Sequence, residues 1–178
     1  MKIALSGIAG SGKDYFASHL IKKGFARISY SDQLKKIGAN IFDWLEKDYP
    51  PEVKEKPLNV TTETGEVIEK TPREIWLSLN KLREIENQLF IRMLGKELSL
   101  TKVEDIVISD IRTKEEFDYA KRKGFITIFI EPEKDKVMHE ENDFDKQIYD
   151  FKDEYDFVFK NSFNGTADFD YFFRNIEK

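Results

Sequence analysis

The sequence predicts an α/β fold built on a mainly parallel five-stranded sheet, and three observations lead there. Short apolar runs at residues 3–5, 25–30, 106–108, 125–130 and 157–159 alternate with segments of helical periodicity. Several of these runs are continuously apolar, as in strands covered on both faces. A glycine-rich stretch at residues 7–14, Gly-Ile-Ala-Gly-Ser-Gly-Lys-Asp, follows the first run and opens the first helical segment. With 178 residues, the chain is read as one domain, 1–178, long enough for a sizeable core.

In chain order, Ile3-Ala4-Leu5 reads as a buried strand, and Phe16, Ala17, Leu20 and Ile21 then repeat at helical spacing until Gly24 offers a C-cap. Residues 31–104, between the second and third strands, exceed a simple crossover and are read as containing an inserted subdomain. Within it, 32–47 reads as helical and Tyr49-Pro50-Pro51 breaks that helix. Residues 58–69 resemble a hairpin turning at Glu63-Thr64-Gly65. Thr71-Pro72-Arg73-Glu74 has the form of a helix start, with Thr71 as cap, Pro72 at the first position and Glu74 completing a capping box. Trp44 and Trp76 are read as subdomain core. A helix is expected over 113–123, and the polar segment 131–150, which contains His139, falls where a lid would lie. The Phe- and Tyr-rich tail, 151–173, is read as packing.

Composition narrows the chemistry. A formal charge of −5 argues against a general nucleic-acid surface, although it leaves room for a local basic cleft. The absence of cysteine removes disulfides, thiolate catalysis and cysteine-bound zinc, and two histidines are too few for a histidine-based metal site. No signal peptide or apolar span of membrane length is present, so the expectation is a soluble, cytoplasmic protein with no membrane partner.

Residues 7–14 carry the strongest chemical signal. Gly7, Gly10 and Gly12 permit backbone conformations that turn successive N–H groups inward around an anion at a helix N-terminus. Lys13 adds a point charge for the β- and γ-phosphates, and the spacing is that of a P-loop. The expected nucleotide-binding positions are Gly7, Ala9, Gly10, Ser11, Gly12, Lys13 and Asp14. Asp14 stands where Ser or Thr would ordinarily serve Mg²⁺, either touching the metal or acting through water.

Beyond the third strand, Asp110 is a second candidate Mg²⁺ ligand and Arg112 a phosphate clamp, with a structural ion pair to Glu116 or Asp110 as the plainer reading of Arg112. Arg73, Lys35 and Lys36 are candidate cations for a second anionic substrate, set against the solvated helix face that is the usual fate of Lys.

Taken together, these pieces resemble the deoxynucleoside monophosphate kinases of bacteriophages, within the wider nucleoside monophosphate kinase group. The matching segments are the loop with its Ser-Gly-Lys-Asp ending, Ser31-Asp32-Gln33-Leu34-Lys35, Thr71-Pro72-Arg73, and Ser109-Asp110-Ile111-Arg112 with Glu116. Near the end, 156–161 followed by Gly165-Thr166 resembles the strand and loop beside the donor adenine. Two positions depart from the pattern. Lys114-Glu115 replaces an Asn-Glu pair, and 131–150 has no arginine where lid arginines are common, so charge neutralisation falls to Lys13, Mg²⁺, Arg112, a subdomain arginine or the lid lysines Lys134 and Lys136.

The resemblance implies a P-loop kinase three-layer sandwich that uses ATP and Mg²⁺ to phosphorylate a deoxynucleoside monophosphate. It implies Lys13, Arg73 and Arg112 as catalytic residues, Asn161 among the ATP-binding residues, and Asp32, Lys35, Arg73 and Arg112 as acceptor-binding residues. Asp14 and Asp110 would serve the metal. The partner expected is a small-molecule nucleotide, with a homodimer allowed and the host cytoplasm as the compartment if the chain is phage-encoded. Dephospho-coenzyme A kinase, in which Asp32 would act as base, and animal-type phosphomevalonate kinase are competing readings. A non-catalytic nucleotide binder is the alternative from another class; a GTPase lacks support because Asn80-Lys81-Leu82-Arg83 has no closing Asp.

Overall fold

The computed structural model describes residues 1–133 and 147–176. The chain forms two compact units, one of Met1–Ser29 with Glu97–Lys178, the other of Tyr30–Lys96.

The first unit holds five parallel strands: β1 (Lys2–Ser6), β2 (Ala26–Ile28), β5 (Ile106–Ile111), β6 (Ile126–Pro132) and β7 (Phe157–Asn161). Their order is β2-β5-β1-β6-β7, so the strand that leads into the glycine loop is central. Each expected apolar run became a strand, and the sheet is parallel throughout. The second run is shorter than its apolar length suggests, because Tyr30 already begins a helix.

The fold is a three-layer α/β sandwich, and β6 shows why. Side chains alternate across a strand. Ile128 and Ile130 join Ile3, Leu5, Val107 and Phe159 in a core with helix α1 (Lys13–Lys22) and the C-terminal helix α7 (Ala167–Ile176). Phe16 of α1 stacks on Phe169 of α7 at 4.3 Å and meets Phe159 edge-on at 5.1 Å. Phe129, between the two isoleucines, points the other way. Its ring lies 5.7 Å from Tyr149 and 5.5 Å from Tyr155, and Tyr155 is 4.7 Å from Phe117 of helix α6 (Lys114–Arg122). The aromatic tail is thus divided between both faces as packing.

The second unit carries α2 (Tyr30–Ile41), a short α3 (Pro51–Lys54), and a hairpin of β3 (Val60–Thr61) and β4 (Val67–Ile68). Helix α4 (Pro72–Leu79) and a 3₁₀ turn at Asn80–Glu84 follow, and α5 (Leu89–Leu100) continues into the first unit. Helix α2 stops well before residue 47: the chain turns after Ile41, where the Leu45 N–H donates to the Phe42 carbonyl at 3.0 Å. The capping box at Thr71 forms, with the Glu74 N–H donating to Thr71 Oγ1 at 3.1 Å and the Thr71 N–H to Glu74 Oε2 at 2.8 Å. Among the described residues no helix is long and apolar enough to cross a membrane.

Candidate phosphate-binding site

The loop between β1 and α1 is shaped by its glycines. Gly7, Gly10 and Gly12 adopt φ of 151°, 77° and 92°, conformations that an L side chain resists. Space excludes side chains as well as strain does. A Cβ on Gly7 would lie 2.5 Å from Ser11 Oγ and 2.6 Å from the Ile130 carbonyl, and one on Gly12 would collide with the Asn161 amide.

Helix α1 has Gly12 as its N-cap and no side-chain cap. Helices α4 and α6 both satisfy their first turns with Thr/Glu capping boxes. Gly12, the N-cap of α1, has no side chain to supply such an oxygen, and a helix N-terminus of this kind is suited to an anion.

Lys13 is 4% exposed, and its Nζ donates to the Ile8 carbonyl at 3.2 Å, so the ammonium is folded against the loop. Ser11 Oγ is buried without a hydrogen-bond partner among the described residues. Asp14 lies exposed in the first turn of α1, and Ala9 is half-buried in the loop.

Asp110 lies inside β5, not in the loop after it. The β1–β5 register runs Ala4↔Ile108 and then Ser6↔Ile111, so β5 carries one extra residue across that step. A bulge of this kind re-aims a side chain at a sheet edge. Ser6 Oγ donates to the Ile111 carbonyl at 2.8 Å, closing the irregular step, and Ser29 Oγ donates to Asp110 Oδ2 at 2.8 Å. Neither serine stood out in the sequence, because their role depends on strand neighbours far apart in the chain. Because β1 and β5 are parallel neighbours, the glycine loop and the Asp110 end of β5 share one carboxyl edge of the sheet.

Arg112 follows directly. Its backbone N–H donates to Glu116 Oε2 at 2.8 Å, and the same oxygen accepts from the Thr113 N–H at 3.3 Å. Glu116 is fully buried, so the turn that presents Arg112 is anchored by a carboxylate, and Thr113 is the cap of α6.

Asn161 ends β7. Its Nδ2 donates to the Ser11 carbonyl at 2.8 Å and its Oδ1 accepts from the Phe163 N–H at 2.9 Å.

Asp32, Lys35 and Arg73 belong to the second unit. Lys35 Nζ lies 2.8 Å from Asp48 Oδ1, 3.7 Å from Asp32 Oδ1 and 5.3 Å from the centre of the Trp76 ring, so its charge is engaged within that unit. Arg73 pairs with Glu55, both side chains being exposed. The lid-like segment expected over 131–150, with Lys134, Lys136 and His139, falls largely on residues outside those described.

The fold is shared with a solved structure. The chain is similar to TT1252 from Thermus thermophilus, known from a crystal structure, with a TM-score of 0.59 and 14% identity over 98% of this chain and 95% of that one. Similarity at that identity speaks for the fold alone. No family model matches the sequence. No curated protein matches it either.

Proposed function

We propose that this chain is an ATP-dependent kinase that passes the γ-phosphoryl group of ATP to the phosphate of a deoxynucleoside monophosphate. The observation that carries the reading is the glycine loop, with three glycines at positive φ, an uncapped helix N-terminus and a buried Lys13 beside it. Lys13 Nζ donates to the Ile8 carbonyl at 3.2 Å within the loop, where a phosphate oxygen would compete for the same ammonium. Preorganised donors of this kind stabilise developing charge without reorganising during the reaction.

Two hard carboxylates suit Mg²⁺, which binds through one or two protein carboxylates and otherwise relies on phosphates and water. Asp110, 5% exposed and steadied by Ser29, would hold it, with Asp14 contributing directly or through water. When bound, the metal neutralises charge on the phosphate oxygens.

An acceptor phosphate is already anionic, so little general-base chemistry is required. What the chain must do is align donor and acceptor, neutralise charge and exclude water. Arg112, on its Glu116-anchored turn, has the planar fork to clamp a phosphate. Acceptor recognition is assigned to the second unit, with Arg73 and Lys35 as its phosphate cations and Asp32 as a polar contact.

The test is acceptor-dependent ADP release across matched deoxyribo- and ribonucleoside monophosphates, with dephospho-coenzyme A and phosphomevalonate alongside. At least one deoxynucleotide should give a higher kcat/KM than its ribose counterpart. ADP release that no acceptor stimulates would overturn the kinase reading. Turnover of dephospho-coenzyme A or phosphomevalonate alone would overturn the choice of acceptor.

A further inference from the structure

The geometry points to Asn161 as a positioning residue that locks the phosphate loop into its anion-binding shape from the far end of the chain, without itself touching the nucleotide. This rests on the phosphate-loop reading and deepens it.

The side chain is a fixed post. Asn161 pairs with Pro132 across the β6–β7 ladder, and its carbonyl accepts from the Glu133 N–H at 3.1 Å, so its backbone is held by the sheet. Only 4% of the residue is exposed. From this post the amide works in two directions. Nδ2 donates to the Ser11 carbonyl at 2.8 Å, across a separation of 150 residues, and Oδ1 accepts from the Phe163 N–H at 2.9 Å.

Those two bonds fix which end of the amide faces the loop, because a carbonyl can only accept and an N–H can only donate. They also fix what the loop does. With its carbonyl drawn toward Asn161, the peptide linking Ser11 to Gly12 holds one orientation at the last step before α1. Gly12 then takes φ of 92° as the helix N-cap. The close approach reinforces this, since any Cβ at Gly12 would collide with the same amide. The bond to Phe163 braces the post from behind, where Phe163 holds φ of 59°, a costly conformation for a non-glycine residue.

Two variants separate positioning from contact. Asn161→Asp keeps the size and the acceptor for Phe163 but sets an oxygen against the Ser11 carbonyl, and Asn161→Ala removes both bonds. The probes are ATP and inorganic tripolyphosphate, titrated by calorimetry. A loop-positioning role should weaken both by the same factor, about tenfold, because tripolyphosphate and ATP use the same loop N–H groups. Loss for ATP with tripolyphosphate affinity retained would overturn the proposal and make Asn161 a contact to base or sugar. Lower thermal stability with both affinities intact would also overturn it.

Hydrogen exchange gives a reading independent of ligand. In Asn161→Asp, amides of residues 8–13 should exchange faster while those of β6 keep their protection, and unchanged exchange in the loop would overturn the proposal even if the alanine variant does not fold. A wild-type protein that binds neither ATP nor tripolyphosphate would remove the phosphate-loop reading itself, and this proposal with it.

Discussion

Ser29 and Asp110 meet at 2.8 Å, hydroxyl to carboxylate, with Ser29 fully buried and Asp110 5% exposed. Their strands are parallel neighbours, and the β5 bulge lies just beyond the last paired residues, Ile28 and Ile108. A buried carboxylate needs such a donor to satisfy its oxygens and hold its orientation. Asp110→Asn should therefore raise the Mg²⁺ concentration for half-maximal rate, and Ser29→Ala should raise it less. Asp14→Ala is expected to act in the same direction, while Asp14→Ser should be tolerated. Initial rates across a Mg²⁺ titration check this, and unmoved midpoints in all three disruptive variants would leave Asp110 and Asp14 with structural roles only.

Lys13→Ala should fold yet lose turnover by roughly 10²–10³-fold, the scale seen when one preorganised charge-stabilising donor is removed. Circular dichroism would establish folding and single-turnover rates the loss. Near-normal turnover would reject the loop as the donor site.

Arg73 sits in an exposed pair with Glu55, a kind of pair that contributes about 0–1 kcal/mol. Arg73→Lys should therefore leave stability within about 1 kcal/mol of wild type, yet raise the apparent KM for the acceptor more than that for ATP, because the planar fork is lost. Equal changes in both KM values would place Arg73 outside acceptor recognition.

Thr113→Ala removes the cap of α6 and should cost about 1 kcal/mol in urea unfolding. Glu116→Ala should cost more, on the order of 1–3 kcal/mol, because it strips a buried acceptor from both the Arg112 and Thr113 N–H groups. The same variant should lower kcat by loosening the turn that carries Arg112. A Glu116→Ala protein no less stable than Thr113→Ala would contradict the anchoring role.

Hydrogen bonds from His19 and Lys23 hold the Asp170 carboxyl down at about 2, against an ordinary value of 3.8. A depressed folded-state pKa adds stability above the unfolded value, and that stability is lost as pH falls through the folded one. Melting temperatures of wild type and Asp170→Asn should therefore be separated at neutral pH, with wild type higher. The two should converge as pH falls from about 4 towards 2. A separation that is constant over that range would rule out the ionised carboxylate as the source.

The sequence by itself determined what short windows of chain can encode. Short apolar runs set between helical segments made all five strands legible, although only the inner ones are covered on both faces and β7 leaves Phe157 and Val158 exposed. Thr71 with Glu74 caps a helix through its own neighbours, and the glycine and lysine pattern at residues 7–13 specifies a loop shape locally. Element ends were less legible. Helix α2 stops at Ile41, where Leu45 instead turns back to bond Phe42, and local helical pattern does not encode that turn.

Tertiary structure decided how those pieces become a site. Asp110 is aimed by a bulge that exists only when β1 and β5 pair out of step, and it is steadied by Ser29, 81 residues away in sequence. The loop is braced by Asn161 from 150 residues away, and the charge of Lys35 is engaged by Asp48 and Trp76. Hydrogen bonds and ion pairs act over a few ångströms of space, whatever the distance along the chain. Which polar groups are joined is therefore settled only when the strands have found their neighbours.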